Sequence, residues 1–396
     1  MPVQILAKTG YGKQLYYIAE QLLKRMPDVE IYNVGGSEMP TYGASGEIPL
    51  RYGKVKWLQV SGDPHGRDVI PAYTEMYKFD IIISMIDIFA IPWFGSWQTR
   101  AVKVQVLPID AENFCWNSYW QELCEGIDYI VAYSKFGFDQ LMRSKLPKWK
   151  CRYIPHMIDC NTYRPRDDEE CLKIVDKLYP KFDPEDFLFL HVGANVASER
   201  KRHYELLYVF KRFVEEVDRN AKLIMYTDPS VSFPHGGDYA RFARDLGIEK
   251  NIVFPRMPPR LAPFSEDEMA ALYSLADVFV TASEAEAFNV PLLEGFACEL
   301  SAIGPANSAN YEHIVGSDGF LVEVCKDFVN FPKYTPYPQM NRPPSLESLF
   351  EKMVEAYNSD LEKKGKKARK YALQFDCDVV GPKWVEFLEE IRDSKL

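Results

Sequence analysis

Eight cysteines are spread over 396 residues, and none stands in a Cys-x-x-Cys pair. The chain therefore lacks the spacing of zinc ribbons and thioredoxin-type redox sites. A chain this long needs no disulfide staples, so the thiols read as reduced. No apolar run approaches the roughly 18 residues of a membrane-spanning helix. The opening Met-Pro-Val-Gln-Ile-Leu-Ala-Lys has no long apolar stretch of a secretory leader. These features point to a cytoplasmic protein, and the 14% aromatic content leaves peripheral attachment to a membrane open. Positive charge is also short, with 47 Lys+Arg against 57 Asp+Glu and a net charge of −10. That balance argues against nucleic-acid binding through a basic face. The histidines His65, His156, His191, His203, His235 and His313 do not gather at metal-ligand spacing, so neither a metal nor a cofactor is expected. Asp167 and Asp168 lie in a charged stretch and read as solvated.

What is present is ordinary globular material, 47% hydrophobic and 26% charged, enough for two or three buried cores. Short apolar runs alternate with amphipathic stretches. Val3–Ala7, Val29–Val34, Phe79–Met85, Lys103–Leu107, Ile127–Ala132 and Cys151–Ile154 read as strands, and Lys135–Arg143 as a helix. The polar, Pro-bearing stretch 166–186 reads as a linker. The alternation then restarts. Phe187–Val192, Lys222–Tyr226, Ile252–Phe254, Val278–Thr281 and Ser301–Ile303 are strands; Tyr204–Val217, Asp238–Leu246, Glu266–Leu275 and Pro291–Cys298 are helices. Phe331–Pro344 reads as a long surface loop. The pattern predicts an α/β fold of two Rossmann-like domains, 1–165 and 187–377, with a C-terminal helix near 378–396 returning to the first.

The segment most suited to chemistry runs from Ser283 to Cys298. It follows a strand ending at Thr281, and Pro291 suits the first position of a helix flanked by Asn289 and Val290. The free N–H groups of a helix start, with the dipole's positive end, suit a phosphate or diphosphate. Glu286 lies just before this helix and Glu294 one turn inside it. Carboxylates beside a diphosphate repel it, so sugar or ribose hydroxyls are the better partners. A first turn made acidic only to complement the helix dipole is an equal reading on these grounds. Arg200-Lys201, after Gly193-Ala-Asn195, would supply positive charge; a solvated Glu-Arg-Lys-Arg turn is the plainer reading. Gly10-Tyr-Gly12 ends the first strand as either a ligand-approaching loop or a tight turn. Asp110 follows another strand end, where open α/β sheets bind ligands, or serves as a turn residue; Glu112 is a weaker candidate.

Glu286 and Glu294, separated by seven residues, resemble the E-x7-E motif of the retaining family 4 glycosyltransferases of GT-B fold. The family's Glu-Gly-Phe-Gly and Leu-Pro-Leu-Leu-Glu-Ala pattern appears as Glu286-Ala-Phe-Asn-Val-Pro-Leu-Leu-Glu294-Gly, with Phe288 kept and Ala287 and Asn289 in glycine places. Asp128-Tyr-Ile-Val-Ala-Tyr-Ser-Lys-Phe-Gly-Phe, Tyr153-Ile-Pro-His-Met-Ile-Asp, Ala270-Ala-Leu-Tyr-Ser-Leu-Ala-Asp, Asn310-Tyr-Glu312 and Trp384-Val-Glu-Phe-Leu resemble further family segments in the same order. The resemblance implies two domains facing a deep cleft and transfer from a GDP- or UDP-sugar to a carbohydrate, lipid-linked or other hydroxyl acceptor. It implies Gly10, Gly12, Gly193, Phe288, Asn289, Val290 and Glu294 at the donor. Arg200 and Lys201 would hold the diphosphate, Glu286 the donor sugar, and Asp110 would lie near the acceptor; His156 would be structural. Retention by front-face displacement is implied, with no metal. The replaced glycines keep a second reading open, a nucleotide-sugar-binding protein of the same fold with impaired catalysis.

Overall fold

The computed structural model describes the chain apart from residues 1–4, 6–8, 36–45, 60–61, 64, 184, 197, 199, 233, 328, 331–337 and 395–396. Most of the expected strand Val3–Ala7 therefore lies outside the described residues. The chain divides into two compact units, Met1–Met157 with Phe375–Leu396 and Ile158–Tyr334 with Pro338–Gln374.

In the first unit, strands β1 (Tyr32–Gly35), β2 (Gly46–Leu50) and β3 (Gly53–Gln59) form one small sheet in the order β1-β3-β2. β2 runs antiparallel to β3. Alternation drives this hairpin: Val55 and Trp57 are buried while Lys54 and Lys56 face outward. Strands β4 (Ile81–Met85), β5 (Val102–Val106), β6 (Tyr129–Ala132) and β7 (Cys151–Tyr153) form a second, parallel sheet in sequence order. Its apolar core gathers Phe94, Leu107, Ile109, Phe114, Trp120, Ile130 and Leu141. The C-terminal helix Cys377–Asp393 belongs to this unit and packs on the helix Gly10–Arg25. The approach is close at Gly381, where a Cβ would come within 2.3 Å of Gln21 Oε1. Lys24 and Arg25 reach Asp378 at 2.6 and 3.1 Å across the same contact.

The second unit holds β8 (Leu188–Val192), β9 (Lys222–Tyr226), β10 (Ile252–Val253), β11 (Val278–Val280), β12 (Ser301–Pro305) and β13 (Phe320–Val322). All are parallel, in the order β10-β9-β8-β11-β12-β13. The order reverses between β8 and β11, the doubly wound pattern whose ligand crevice opens beyond the carboxyl ends of the two central strands. Phe189, Phe210, Phe213, Met225, Val280 and Met353 lie in its core.

Two expectations need correction. Within 166–186, Asp168–Leu178 is a helix of the second unit, with Cys171 and Val175 buried against the helix Glu266–Leu275. Asp167 caps it, accepting from the Glu169 and Glu170 N–H groups, so the acidic run is a helix start. The end of the expected loop Phe331–Pro344 is not superficial either. Gln339 and Asn341 are buried, and Asn341 exchanges main-chain bonds with Asn330 at 2.9 and 3.0 Å.

Candidate functional site

β8 ends at Val192 and the chain turns through Gly193. A Cβ at Gly193 would lie 2.9 Å from His191 Nε2 and 3.2 Å from His203 Nε2, so only glycine fits over these rings. Both imidazoles stay neutral. Burial draws His191 down to about 4, against the pull of its bond to the Val280 carbonyl, and Lys201 adds to the lowering. Burial lowers His203 well below the ordinary value, and His191 and Lys201 lower it further. The local positive charge thus resides on Arg200, Lys201 and Arg202.

β11 ends at Val280, and the chain from Thr281 to Asn289 lies against that basic loop. The Glu284 N–H donates to the Arg200 carbonyl at 3.0 Å. Arg200 donates to the Ala285 carbonyl and, at 2.8 Å, to Glu286 Oε2; Lys201 Nζ donates to Glu286 Oε1 at 2.5 Å. The Glu286 N–H donates to Ser308 Oγ at 2.8 Å. Burial alone would raise the Glu286 carboxyl, but the neighbouring Arg200 and Lys201 charges hold it at about 2. The first of the two motif glutamates is therefore an ionised, fixed acceptor between two cations.

The motif helix spans Val290–Ala297, with Asn289 at its N-cap and Pro291 in its first turn. Asn289 has φ +71°, the left-handed region that glycine favours and asparagine tolerates. Its Nδ2 donates to Asn310 Oδ1 at 2.8 Å, and Asn310 Nδ2 donates to Asn307 Oδ1 at 3.0 Å. Asparagine thus holds a backbone conformation that glycine favours while its side chain is tied to the next helix, Ser308–Gly316. Phe288 packs edge-on to His313, ring centres 4.7 Å apart. Glu294 is buried and accepts from the Tyr273 hydroxyl at 2.9 Å and from Tyr163. Its carboxylate is oriented by two phenols.

Sequence reasoning missed Arg202 and Glu284. Arg202 has φ +54°, which costs an L-residue roughly 1–2 kcal/mol. It donates through Nε to Glu284 Oε2 at 2.8 Å, with a second bond from Nη2, and through Nη1 to Glu205. Glu284, 1% exposed, also accepts from Asn330 at 2.9 Å and Asn341 at 3.2 Å. The only sequence signal was a third cation following Arg200-Lys201.

In the first unit, Gly10 and Gly12 occupy the first turn of the helix Gly10–Arg25 rather than a loop, and Thr9 Oγ1 accepts from the Gly12 N–H at 3.2 Å. Asp110 lies half-buried beyond β5. Beyond β6, the buried Tyr133 stacks on His156 with ring centres 3.8 Å apart. Burial raises the Tyr133 phenol well above its usual value, and the nearby Tyr11, Asp87 and Asp110 add to that. Burial lowers His156 to about 3, so it is a neutral stacking partner. Asp110 is thus grouped with Asp87, Tyr11 and Tyr133 at the carboxyl edge of this sheet. Glu112 is half-buried on the same connection.

The eight cysteines are free thiols. Among the described residues no helix is long and apolar enough to cross a membrane.

Comparison with known proteins bears on both units. Residues 186–330 match the family model described as Glycosyl transferases group 1. The alpha-monoglucosyldiacylglycerol synthase of Streptococcus pneumoniae is 26% identical over 251 residues, 59% of this chain and 53% of that protein. The N-acetyl-alpha-D-glucosaminyl L-malate synthase of Bacillus anthracis is 30% identical over 201 residues, 50% of this chain and 47% of that protein. The chain thus spans about half the length of these curated relatives. Among solved structures, a sucrose-phosphate synthase from Thermosynechococcus elongatus superposes with a TM-score of 0.72 at 15% identity, over 98% of this chain and 94% of that one. An Anabaena protein solved with UDP and glucose gives 0.63 at 15% identity, over 85% and 86%. The fold is that of the GT-B glycosyltransferases, and residues 186–330 of the second unit are similar to the group 1 glycosyl transferases.

Proposed function

We propose that the protein transfers a sugar from a nucleoside-diphosphate sugar to a hydroxyl acceptor with retention of the anomeric configuration. The observation that carries this reading is the convergence of Arg200, Lys201 and Glu286 beyond the adjacent strands β8 and β11, where the strand order reverses. A diphosphate placed there meets two cations and the start of the helix Val290–Ala297. Glu286 accepts from hydroxyls of the donor sugar, and Glu294, steadied by its tyrosines, serves the ribose. The donor is a UDP- or GDP-sugar, and the acceptor a carbohydrate, a lipid-linked group or another hydroxyl compound, with peripheral attachment to a membrane compatible with the lipid case.

In the transfer, the bond from the anomeric carbon to the diphosphate oxygen breaks. The acceptor oxygen bonds to the same face, and its proton passes to the departing diphosphate. Arg200 and Lys201 stabilise the charge that develops there. Glu286 is already committed to two cations, which fits an orienting acceptor better than a nucleophile. Asp110 and its neighbours lie at the carboxyl edge of the first unit's sheet and serve the acceptor. The side chain of Asn289 is tied to Asn310, so it leaves the motif backbone approachable; this favours catalysis over a non-catalytic binder.

A thermal-shift screen with UDP, GDP and ADP sugars tests the reading, because a ligand that binds only the native state raises its melting point. A rise with one nucleotide class is expected, and Lys201→Ala should weaken that binding by about 1–3 kcal/mol. Affinity unchanged by Lys201→Ala would contradict the assignment.

A further inference from the structure

Three consecutive residues, Arg200, Lys201 and Arg202, reach two buried carboxylates. The first two engage Glu286, and Arg202 engages Glu284, two residues earlier on the facing strand-end loop. Arg202 holds a backbone conformation suited to glycine, so its side chain must compensate a local cost. Glu284 in turn accepts from Arg202, Asn330 and Asn341, which binds the chain beyond β13 to the same point. Asn307 adds a second tie, donating to the Ser283 carbonyl at 3.0 Å and the Arg342 carbonyl at 2.8 Å.

We infer that Glu284 and Arg202 are positioning residues for the diphosphate-binding cations, fixing the register in which Arg200 and Lys201 face the donor. This rests on the donor-site reading above. The physical ground is that Nε and Nη2 of the planar guanidinium converge on one oxygen, Glu284 Oε2, which fixes the angle of the loop as well as its distance. The guanidinium also neutralises Glu284, which otherwise would add a negative charge beside Glu286 and oppose a diphosphate. Asn330 and Asn341 are neutral donors that hold the carboxylate without replacing that charge.

The test compares nucleoside-diphosphate binding with nucleoside binding. Calorimetric titrations use UDP, GDP and ADP against uridine, guanosine and adenosine, on the full chain and on Arg202→Gly, Arg202→Lys, Glu284→Gln and Lys201→Ala. Arg202→Gly suits the positive φ, so it isolates the side chain. It should weaken the bound diphosphate about tenfold while leaving the nucleoside affinity unchanged. Glu284→Gln removes a negative charge, which by itself would favour a diphosphate, so a shift of the same selectivity in the same direction reports lost positioning; Arg202→Lys should recover part of the loss. Equal losses for diphosphate and nucleoside would mean a merely structural pair and overturn the inference. Should Arg202→Gly lack a cooperative melt, Glu284→Gln and Arg202→Lys decide on the same criterion. Sensitivity to Lys201→Ala without sensitivity to Arg202→Gly or Glu284→Gln would overturn the positioning role alone. Failure of the unmodified chain to bind any of the three diphosphates, or indifference to Lys201→Ala, would overturn the donor-site reading and this inference with it.

Discussion

Glu286 carries its charge inside the protein because two cations surround it, and that has a measurable consequence. Its carboxyl sits at about 2 in the folded chain, below an ordinary value of 4.5. A depressed carboxylate contributes stability that is complete above 4.5 and is lost as pH falls toward 2. The contribution at neutral pH is about 3 kcal/mol. Urea unfolding between pH 5 and pH 3 should show stability falling toward acid, with a shallower fall in Glu286→Gln. Identical acid slopes in both proteins would contradict the pairing. The same substitution should lower sugar transfer about a hundredfold, since a positioned hydrogen-bond acceptor is lost, while nucleoside-diphosphate affinity stays nearly constant. At this scale residue type and order singled out Glu286, Lys201 and Arg200 as candidates, and the structure brings the three side chains together. It did not reveal Glu284 or Arg202, because a buried ion pair between residues 82 apart leaves no local pattern.

Helix ends show how elements settle their own polar groups. Lys103 is buried, and its Nζ donates to the carbonyls of Phe94, Gly95 and Trp97 at 3.1, 2.9 and 2.7 Å. Lys150 does the same for Cys124, Glu125 and Ile127 at 3.0, 3.0 and 3.1 Å. Two neighbouring short helices, Pro92–Ser96 and Ser118–Cys124, thus have their C-terminal carbonyls satisfied by ammonium groups arriving from elsewhere. Lys103→Met keeps the stem and removes the donors. It should destabilise the protein by about 3 kcal/mol, the cost of leaving buried carbonyls without partners. Equilibrium denaturation checks this, and a change below 1 kcal/mol would argue that water replaces the ammonium. These short helices were not legible in the sequence, since their ends depend on distant lysines. The central strands were legible because parallel strands buried on both faces are continuous apolar runs. The hairpin β2–β3 was missed although Lys54-Val-Lys-Trp57 alternates with period two, and the helix Asp168–Leu178 was hidden by the acidic run that caps it.

At the scale of the whole molecule, the restart of strand–helix alternation announced two units. The strand order of the second unit then locates its crevice independently of any motif. The boundary shifted because the chain after Met157 packs with the second unit, through Cys160 and the helix Asp168–Leu178. The proposed donor chemistry rests on the second unit; the acceptor was not legible because the carboxyl edge of the first unit offers several polar groups without a motif to rank them. The most direct test needs no acceptor. Proton NMR can follow sugar released slowly to water from UDP-, GDP- and ADP-α-glucose, read before the free sugar equilibrates between anomers. The account predicts release from a donor with the α configuration retained and strong suppression in Glu286→Gln. Initial release of the β anomer would contradict it.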